Sequence, residues 1–580
     1  MRLLILVVAI TAVVADDLPP SCSKPVYCNS ELLHHVQMAR LYDDSKTFVD
    51  LQMRQNENIT LAAFQELLNR TNNNPSRDQI RQFVNEYFDE TSELENWTPP
   101  DITENPKFLT KVRDEKLRQF GKDIVGIWPT LARKVRSIVL EKPDQFSFVP
   151  VTHGFIIPGG RFREIYYWDT YWIVEGLLIS DMKETARGMI ENLIELLRKI
   201  GHIPNGSRWY YQERSQPPLL SAMMALYFKY TKDIQFLRDN IQYLEKEMNY
   251  WLDTHIISIS KDGETFTLLR YYSPSAGPRP ESYREDYENA HTLDSNNTNH
   301  NEFYADIKSA AESGWDFSTR WFLTPEGDNK GNLSQISTRN IIPVDLNAIF
   351  ANAVQNTANF LGILKKPRRA AHWASIARQW RSNIEKVLWN DEDGIWYDYD
   401  IVNGKHRQYF YPSNVAPFWM KAVDRELSKK HAPRVIDYLQ ESKGLSFPGG
   451  VPSSLVRSGE QWDFPNVWPP AVGIVIGALE GMGTIEGNRL AKEVCQVWVW
   501  ATHKGFSKNK QMFEKYDAEV PGRFGGGGEY VVQEGFGWAN GLVLECLAKY
   551  GPALKSYDEL ENNSSSEASS DSDMENTSVE

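Results

Sequence analysis

ETARGMIENLIELLRKIG, residues 184 to 201, decides the fold class. Its apolar residues recur at helical spacing and so form one stripe on a helix. Gly201 follows the last of them, and a glycine just past a periodic run is a helix stop signal. Working outward, the same spacing recurs at about 218–230, 233–254, 345–363, 368–389, 471–482, 487–503 and 537–549. Strand signals are few and short, such as IWYDYD at 395–400. Helix following helix this often implies paired helices packed side by side, hence an all-α protein. A closed ring of helical hairpins is the expected architecture, with the loops at one end converging on a central pocket. Periodicity carries no information on whether the ring closes.

The two ends of the chain read differently from this body. MRLLILVVAITAVVA has Arg2, then an apolar run, then the small residue Ala15. This is the pattern of a secretory signal peptide, residues 1–15, cut after Ala15. A retained anchor is the alternative, but the run is short for a membrane span. No later stretch is apolar enough to cross a bilayer, and the C-terminus lacks a lipid-anchor tail. Residues 16–555 are expected to form a single domain with an N-terminal extension. From Ser556 to Glu580 the chain is rich in Ser, Asp and Glu, and is expected to be disordered. The net charge of −14 is supplied in large part by this tail, and an acidic balance argues against a nucleic-acid partner.

Cys22 and Cys28 sit close together in a Pro-rich segment and are expected to form a disulfide. Cys495 and Cys546 fall in apolar helical patterns, where two buried free thiols are at least as good a reading as a second bridge. Sequons at Asn58, Asn69, Asn96, Asn296 and Asn332 fit a glycosylated surface. The sequon at Asn205 lies among site candidates and is expected to stay unmodified.

Between the helices lie dense aromatic and carboxylate clusters. PGGRFREIYYWDTY (158–171), ESGWDFSTRW (312–321) and QWDFPNVWPP (461–470) each contain a Trp-Asp pair. Aromatic faces beside carboxylates suit a sugar, whose ring stacks and whose hydroxyls donate. They also suit a glycosidase, which needs two carboxyl groups on either side of one bond. HIPNGSRWYYQERSQPP (202–218) adds Asn205, Arg214 and Gln216, and PRPESYRED (278–286) adds Arg279 and Glu281. Taken singly, Arg214 is as well read as a surface ion pair, and 278–286 as a solvated charge run. Asp316 has the aromatic neighbours that raise a carboxyl group's pKa for general-acid work, with Glu312 a weaker candidate. QMFEKYDAEVPGRFGGGGEYVVQEGFGW (511–538) offers Glu514, Asp517, Glu529 and Glu534 as general bases, and residue chemistry does not rank them. Its four glycines do not make a phosphate loop, because no Lys-Ser or Lys-Thr follows and Glu529 would repel phosphate. Among 11 His there is no HExxH spacing, and no GxSxG elbow occurs.

PGGRFREIYYWDTY and QWDFPNVWPP resemble the two signature patterns of the trehalases, an inverting glycoside hydrolase family. GGGGEY (525–530) is similar to the family's glycine-rich segment. The resemblance spans roughly residues 25 to 550. The leader, the sequons and the lack of an anchor signal resemble those of the soluble, secreted trehalases of insects. It implies an (α/α)6 barrel, no metal and no cofactor, and the disaccharide trehalose as the small-molecule substrate. It implies Asp316 as general acid and Glu514 as general base, with Arg161, Arg214 and Arg279 lining the pocket. Phe162, Trp168, Asp169, Asn205, Gln216, Glu281, Gly314, Gln461, Trp462, Trp468, Glu529 and Trp538 are then expected to frame the two sugars. Glu534 is more acidic than the family pattern leads one to expect there. An arginine beside Glu514 is expected to keep it ionised, while burial keeps Asp316 protonated. Another enzyme on the same ring (an α-glucosidase or a disaccharide phosphorylase) and a non-catalytic sugar-binding protein are the rival readings. Oligomeric state leaves no trace in the sequence.

Overall fold

The structure, a computed structural model, describes residues 18–293 and 300–557. The leader 1–15, the sequon at Asn296 and the tail from 558 lie outside the described residues.

Among the described residues, twelve helices build the main body. They are α1 (Glu115–Val125), α2 (Asp169–Ile179), α3 (Lys183–Ile200), α4 (Leu220–Thr231), α5 (Ile234–Thr254) and α6 (Val344–Ile363). There follow α7 (Pro367–Leu388), α8 (Ala416–Trp419), α9 (Arg425–Glu441), α10 (Pro469–Gly481), α11 (Ile485–Asn509) and α12 (Gly537–Tyr550). Helices α2, α4, α6, α8, α10 and α12 touch in that order, and α12 returns to α2, so an inner ring closes. Outside it, α3 packs on α2, α5 on α4, α7 on α6, α11 on α10 and α1 on α12. Helix α9 rests on the short strand Ile395–Trp396. This is the all-α (α/α)6 barrel.

Composition sorts the helices between the two rings. Inner α10 is PPAVGIVIGALEG, with Val472, Ile474, Val475, Ile476 and Leu479 all buried. A helix apolar all round has to be surrounded by protein. Outer α3 carries the single stripe read from its sequence, with Arg198 exposed on the other side. Inner neighbours also approach closely: a Cβ on Gly541 of α12 would lie 2.1 Å from the Trp172 carbonyl oxygen of α2.

Three sequence expectations change. Cys495 of α11 and Cys546 of α12 form a disulfide, with Cα atoms 5.4 Å apart, so the free-thiol reading is overturned. Packing of the two helices brings the cysteines together, and their spacing of 51 residues gave no hint of it. The Cys22–Cys28 bridge is present as expected. The folded body also runs past residue 555: the buried Ser556 N–H donates to Asp114 Oδ2 at 2.6 Å, and the Tyr557 ring lies 5.1 Å from that of Trp500. Helix α9 goes unread because Pro433 interrupts its pattern.

A second, smaller apolar core gathers residues 22–88 against Tyr166, Tyr210 and Tyr211. This layer lies beside the loops before α2 and α4. It brings Asp44 and Lys46 to the mouth of the barrel.

Candidate active site

Loops at one end of the ring converge on a pocket. Arg161, Phe162, Trp168 and Asp169 reach it from the turn that opens α2, and Asn205, Arg214 and Gln216 from the loop before α4. Arg279 and Glu281 come from a Pro-braced turn, and Gly314 and Asp316 from the end of the helix Asn301–Ser313. Trp462 and Trp468 precede α10, while Glu514, Glu529 and Trp538 come from the segment between α11 and α12. The two-residue strand Asn466–Val467 pairs antiparallel with Tyr516–Asp517, which ties the last two groups together.

One sequence candidate is placed otherwise. Gln461 is buried behind the wall: its amide donates to the Asp316 backbone carbonyl, and its Oε1 accepts from Lys515 Nζ at 2.9 Å. Of the other acid and base candidates, Glu529 lines the pocket but accepts from Arg279 and Ser282, and the rest lie elsewhere. Glu312 accepts from His255 and from the backbone N–H of Ser215 and Tyr272, and so braces two loops. Asp517 pairs with Arg523, and Glu534 is exposed. Tyr166, part of the aromatic cluster read from 158–171, also lines the pocket, while sequence reasoning missed Lys46, Tyr211, Ser282, Tyr530 and Phe536. The signal available for Tyr530 was its place directly after Glu529 in the glycine-rich segment.

The aromatic wall is built by stacking. The Trp462 and Trp468 rings lie 4.2 Å apart and nearly parallel, and Trp315 backs Trp462 at 4.8 Å. Trp538 stands edge-on to Trp168 at 5.9 Å and to Trp468 at 5.6 Å. Gly314 is required here: at φ 78° it ends its helix, and a Cβ would fall 2.6 Å from the Trp168 ring.

Each arginine is fixed by a carboxylate and an aromatic face. Arg161 makes a two-pronged pair with Asp44 at 2.6 and 2.7 Å and lies 4.8 Å from the Tyr530 ring centre. Arg214 pairs with Glu281 and lies over Tyr211 at 4.9 Å. Arg279 is held by Asp286 at 2.6 Å and by Glu529 at 2.8 Å, over the Phe317 ring. Such forks leave the guanidinium planes with little freedom. Asn205 is 4% exposed, and its Nδ2 lies 3.5 Å from the Ser215 carbonyl and 3.4 Å from that of Ala311.

Burial pushes the Asp316 carboxyl up to about 6, against the pull of Arg279 and Arg214. Burial pushes Glu514 up to about 7, opposed by Lys515, by the Tyr530 hydroxyl donating at 2.9 Å, by the Gln533 N–H, and by Arg161. Desolvation likewise raises Asp169, further disfavoured by the charges of Glu514 and Asp316. The expected contrast is therefore not met. Both carboxyls titrate near neutrality, because burial of Glu514 outweighs Lys515 and Arg161, and two of the arginines act on Asp316 instead.

Comparison with known proteins agrees with this geometry. The trehalase family model matches residues 40–551. A trehalase of Bombyx mori is 65% identical over 576 residues, covering 99% of each chain. A trehalase of Homo sapiens is 42% identical, covering 93% of this chain and 92% of its own. Among solved structures, the neutral trehalase Nth1 of Saccharomyces cerevisiae superimposes with a TM-score of 0.53 at 23% identity, over 68% of this chain and 73% of its own. The barrel, the pocket and the match across nearly the whole chain lead to one conclusion: this chain belongs to the trehalase family.

Proposed function

We propose that the chain hydrolyses α,α-trehalose to two glucose molecules by inverting single displacement. The observation that carries the reading is that Asp316 and Glu514 line one pocket with three fixed arginines and four tryptophans. An uncharged disaccharide offers ring faces to the tryptophans and hydroxyls to the arginines, which only donate. Asp316 protonates the bridging oxygen, while Glu514 takes a proton from a water on the far face of the other ring. The water attacks the oxocarbenium-like carbon, giving one β-glucose, and the leaving glucose keeps its α configuration. An inverting pair stands roughly 6.5–9.5 Å apart to admit that water. Asp169, Asn205, Gln216 and Glu281 orient sugar hydroxyls, and Gln461 acts from behind by holding the Asp316 backbone.

The test is a proton NMR time course with trehalose, read before mutarotation. Equal early α- and β-glucose supports the reading; α-glucose alone means retention and removes the roles given to Asp316 and Glu514. The D316N and E514Q variants are expected to be slower by orders of magnitude with the fold intact.

We also propose that residues 1–15 are removed and that the mature chain is secreted and carries its activity in one domain. The apolar N-terminal run and the two disulfides support this, since disulfides persist in oxidising compartments. N-terminal sequencing of protein collected from the medium tests it; a mature start other than Asp16 rejects the cleavage site.

A further inference from the structure

Lys515 follows the proposed base directly in sequence, yet neither that chemistry nor substrate contact has used it. Its side chain is completely buried, and it makes no ion pair among the described residues. Burying an ammonium without a carboxylate beside it costs free energy, and such a group persists only where neutral donors and acceptors are arranged around it. Here they are. Nζ donates to Gln461 Oε1 at 2.9 Å and to the Gly527 carbonyl at 3.3 Å. It lies 4.9 Å from the centre of the Trp468 ring and 5.9 Å from that of Tyr530. Cation–π attraction is strongest at such desolvated sites.

These partners lead to both reacting carboxyls. The Gln461 amide that receives Lys515 on its oxygen donates through its nitrogen to the Asp316 backbone carbonyl. The Tyr530 ring beneath the ammonium carries the hydroxyl that donates to Glu514 Oε1 at 2.9 Å. We infer that Lys515 is a positioning residue, one buried cation shared by Asp316 and Glu514, and that its charge fixes the pH window in which the pair works. The inference rests on the hydrolytic reading above.

Electrostatics agree with the geometry. Burial depresses Lys515 to about 8, while Glu514 and Asp316 both pull it back up. The other charged and titratable groups acting on the pair are Arg161, Tyr530 and Asp169 around Glu514, and Arg279, Arg214, Glu281 and Glu529 around Asp316. The arginines there are all bound to carboxylates that offset them, namely Asp44, Glu281, and Asp286 with Glu529. Lys515 has no such offset. Its removal therefore raises Glu514, on which it is the leading opposing charge, and Asp316 to a smaller extent, and moves the acid limb of the pH profile in the alkaline direction.

The experiment is the pH dependence of kcat/KM on trehalose for wild type, K515M, K515Q and K515R, with Tm measured for each. Lys515 is the first-named charge favouring ionised Glu514, so the acid limb of K515M and K515Q moves up, by about one unit on the scale of such charge pairs. At pH 5, below that limb, the shift appears as a loss of about tenfold in kcat/KM. K515R, which keeps the charge, returns the limbs toward wild type. K515Q keeps a hydrogen-bond donor for Gln461 and carries the same readout if K515M does not fold. Limbs that stay in place in a folded neutral variant, whatever happens to Tm or kcat, overturn the inference and leave Lys515 a packing residue. A wild type that releases no glucose from trehalose instead overturns the hydrolytic reading, which separates the two failures.

Discussion

Replacing Glu514 with glutamine should stabilise the protein, and only above a definite pH. Glu514 is 1% exposed, and its carboxyl sits at about 7 instead of its ordinary 4.5, because burial disfavours the ionised form. The folded state thus holds a proton that the unfolded chain has already lost between pH 4.5 and 7. Native stability falls as pH rises through that window and is level above it. At 1.36 kcal/mol per pH unit, the loss amounts to about 3 kcal/mol. Glutamine does not titrate, so the E514Q variant escapes it. With an unfolding entropy of about 2.1 cal/mol/K per residue, 3 kcal/mol over a body of this size corresponds to about 3 °C in Tm. The assay is scanning calorimetry of wild type and E514Q from pH 4 to pH 9. Their Tm values should nearly coincide at pH 4 and separate progressively to about 3 °C by pH 8. A gap that does not change with pH, or one that favours the wild type at pH 8, would refute the claim that the base is held in an environment hostile to its charge.

Three further outcomes follow from the same geometry. The kcat/KM profile on trehalose should be bell-shaped, with apparent values near 6 and 7 that belong to the Asp316–Glu514 pair jointly; a profile flat across that range excludes the pair. The D44A variant removes the fork that orients Arg161, so KM should rise about threefold to tenfold while stability changes by at most about 1 kcal/mol, the range of partly exposed ion pairs. An unchanged KM would mean that packing against Tyr530 and Phe162 suffices to place the guanidinium. The C495S/C546S double variant opens a 51-residue loop and should lose about 4 kcal/mol, read from denaturant midpoints.

Much of the fold was legible because the period of the helices is a local property. The stripe of α3 and the all-round apolarity of α10 follow from sequence spacing alone, and they already separate outer from inner helices. Helix α9 shows the limit: Pro433 breaks the local pattern, and tertiary contacts hold the element, among them the strand Ile395–Trp396 and the His431–Glu385 bond to α7. In the site, Arg214 and Arg279 gain weight only through the family resemblance, whereas the segments holding Arg161, Asp316 and Glu514 stand out by their aromatic and carboxylate density. Residues such as Lys46 do not, since a lone lysine in the N-terminal layer looks like any surface charge until that layer folds over the barrel mouth.

The sequence by itself determined the helical class, the segments that carry chemistry and the family. Those depend on spacing along the chain and on motifs a few residues long. Only the tertiary structure decided that the ring closes, that Cys495 meets Cys546, that Gln461 stands behind the pocket, and that Lys515 is buried against Gln461 and the Trp468 ring. It also decided the balance of charge, placing Glu514 near 7 where the sequence suggested an ionised base. The reason is physical. Burial and distance fix pairings and pKa values, and both are set by parts of the chain hundreds of residues apart.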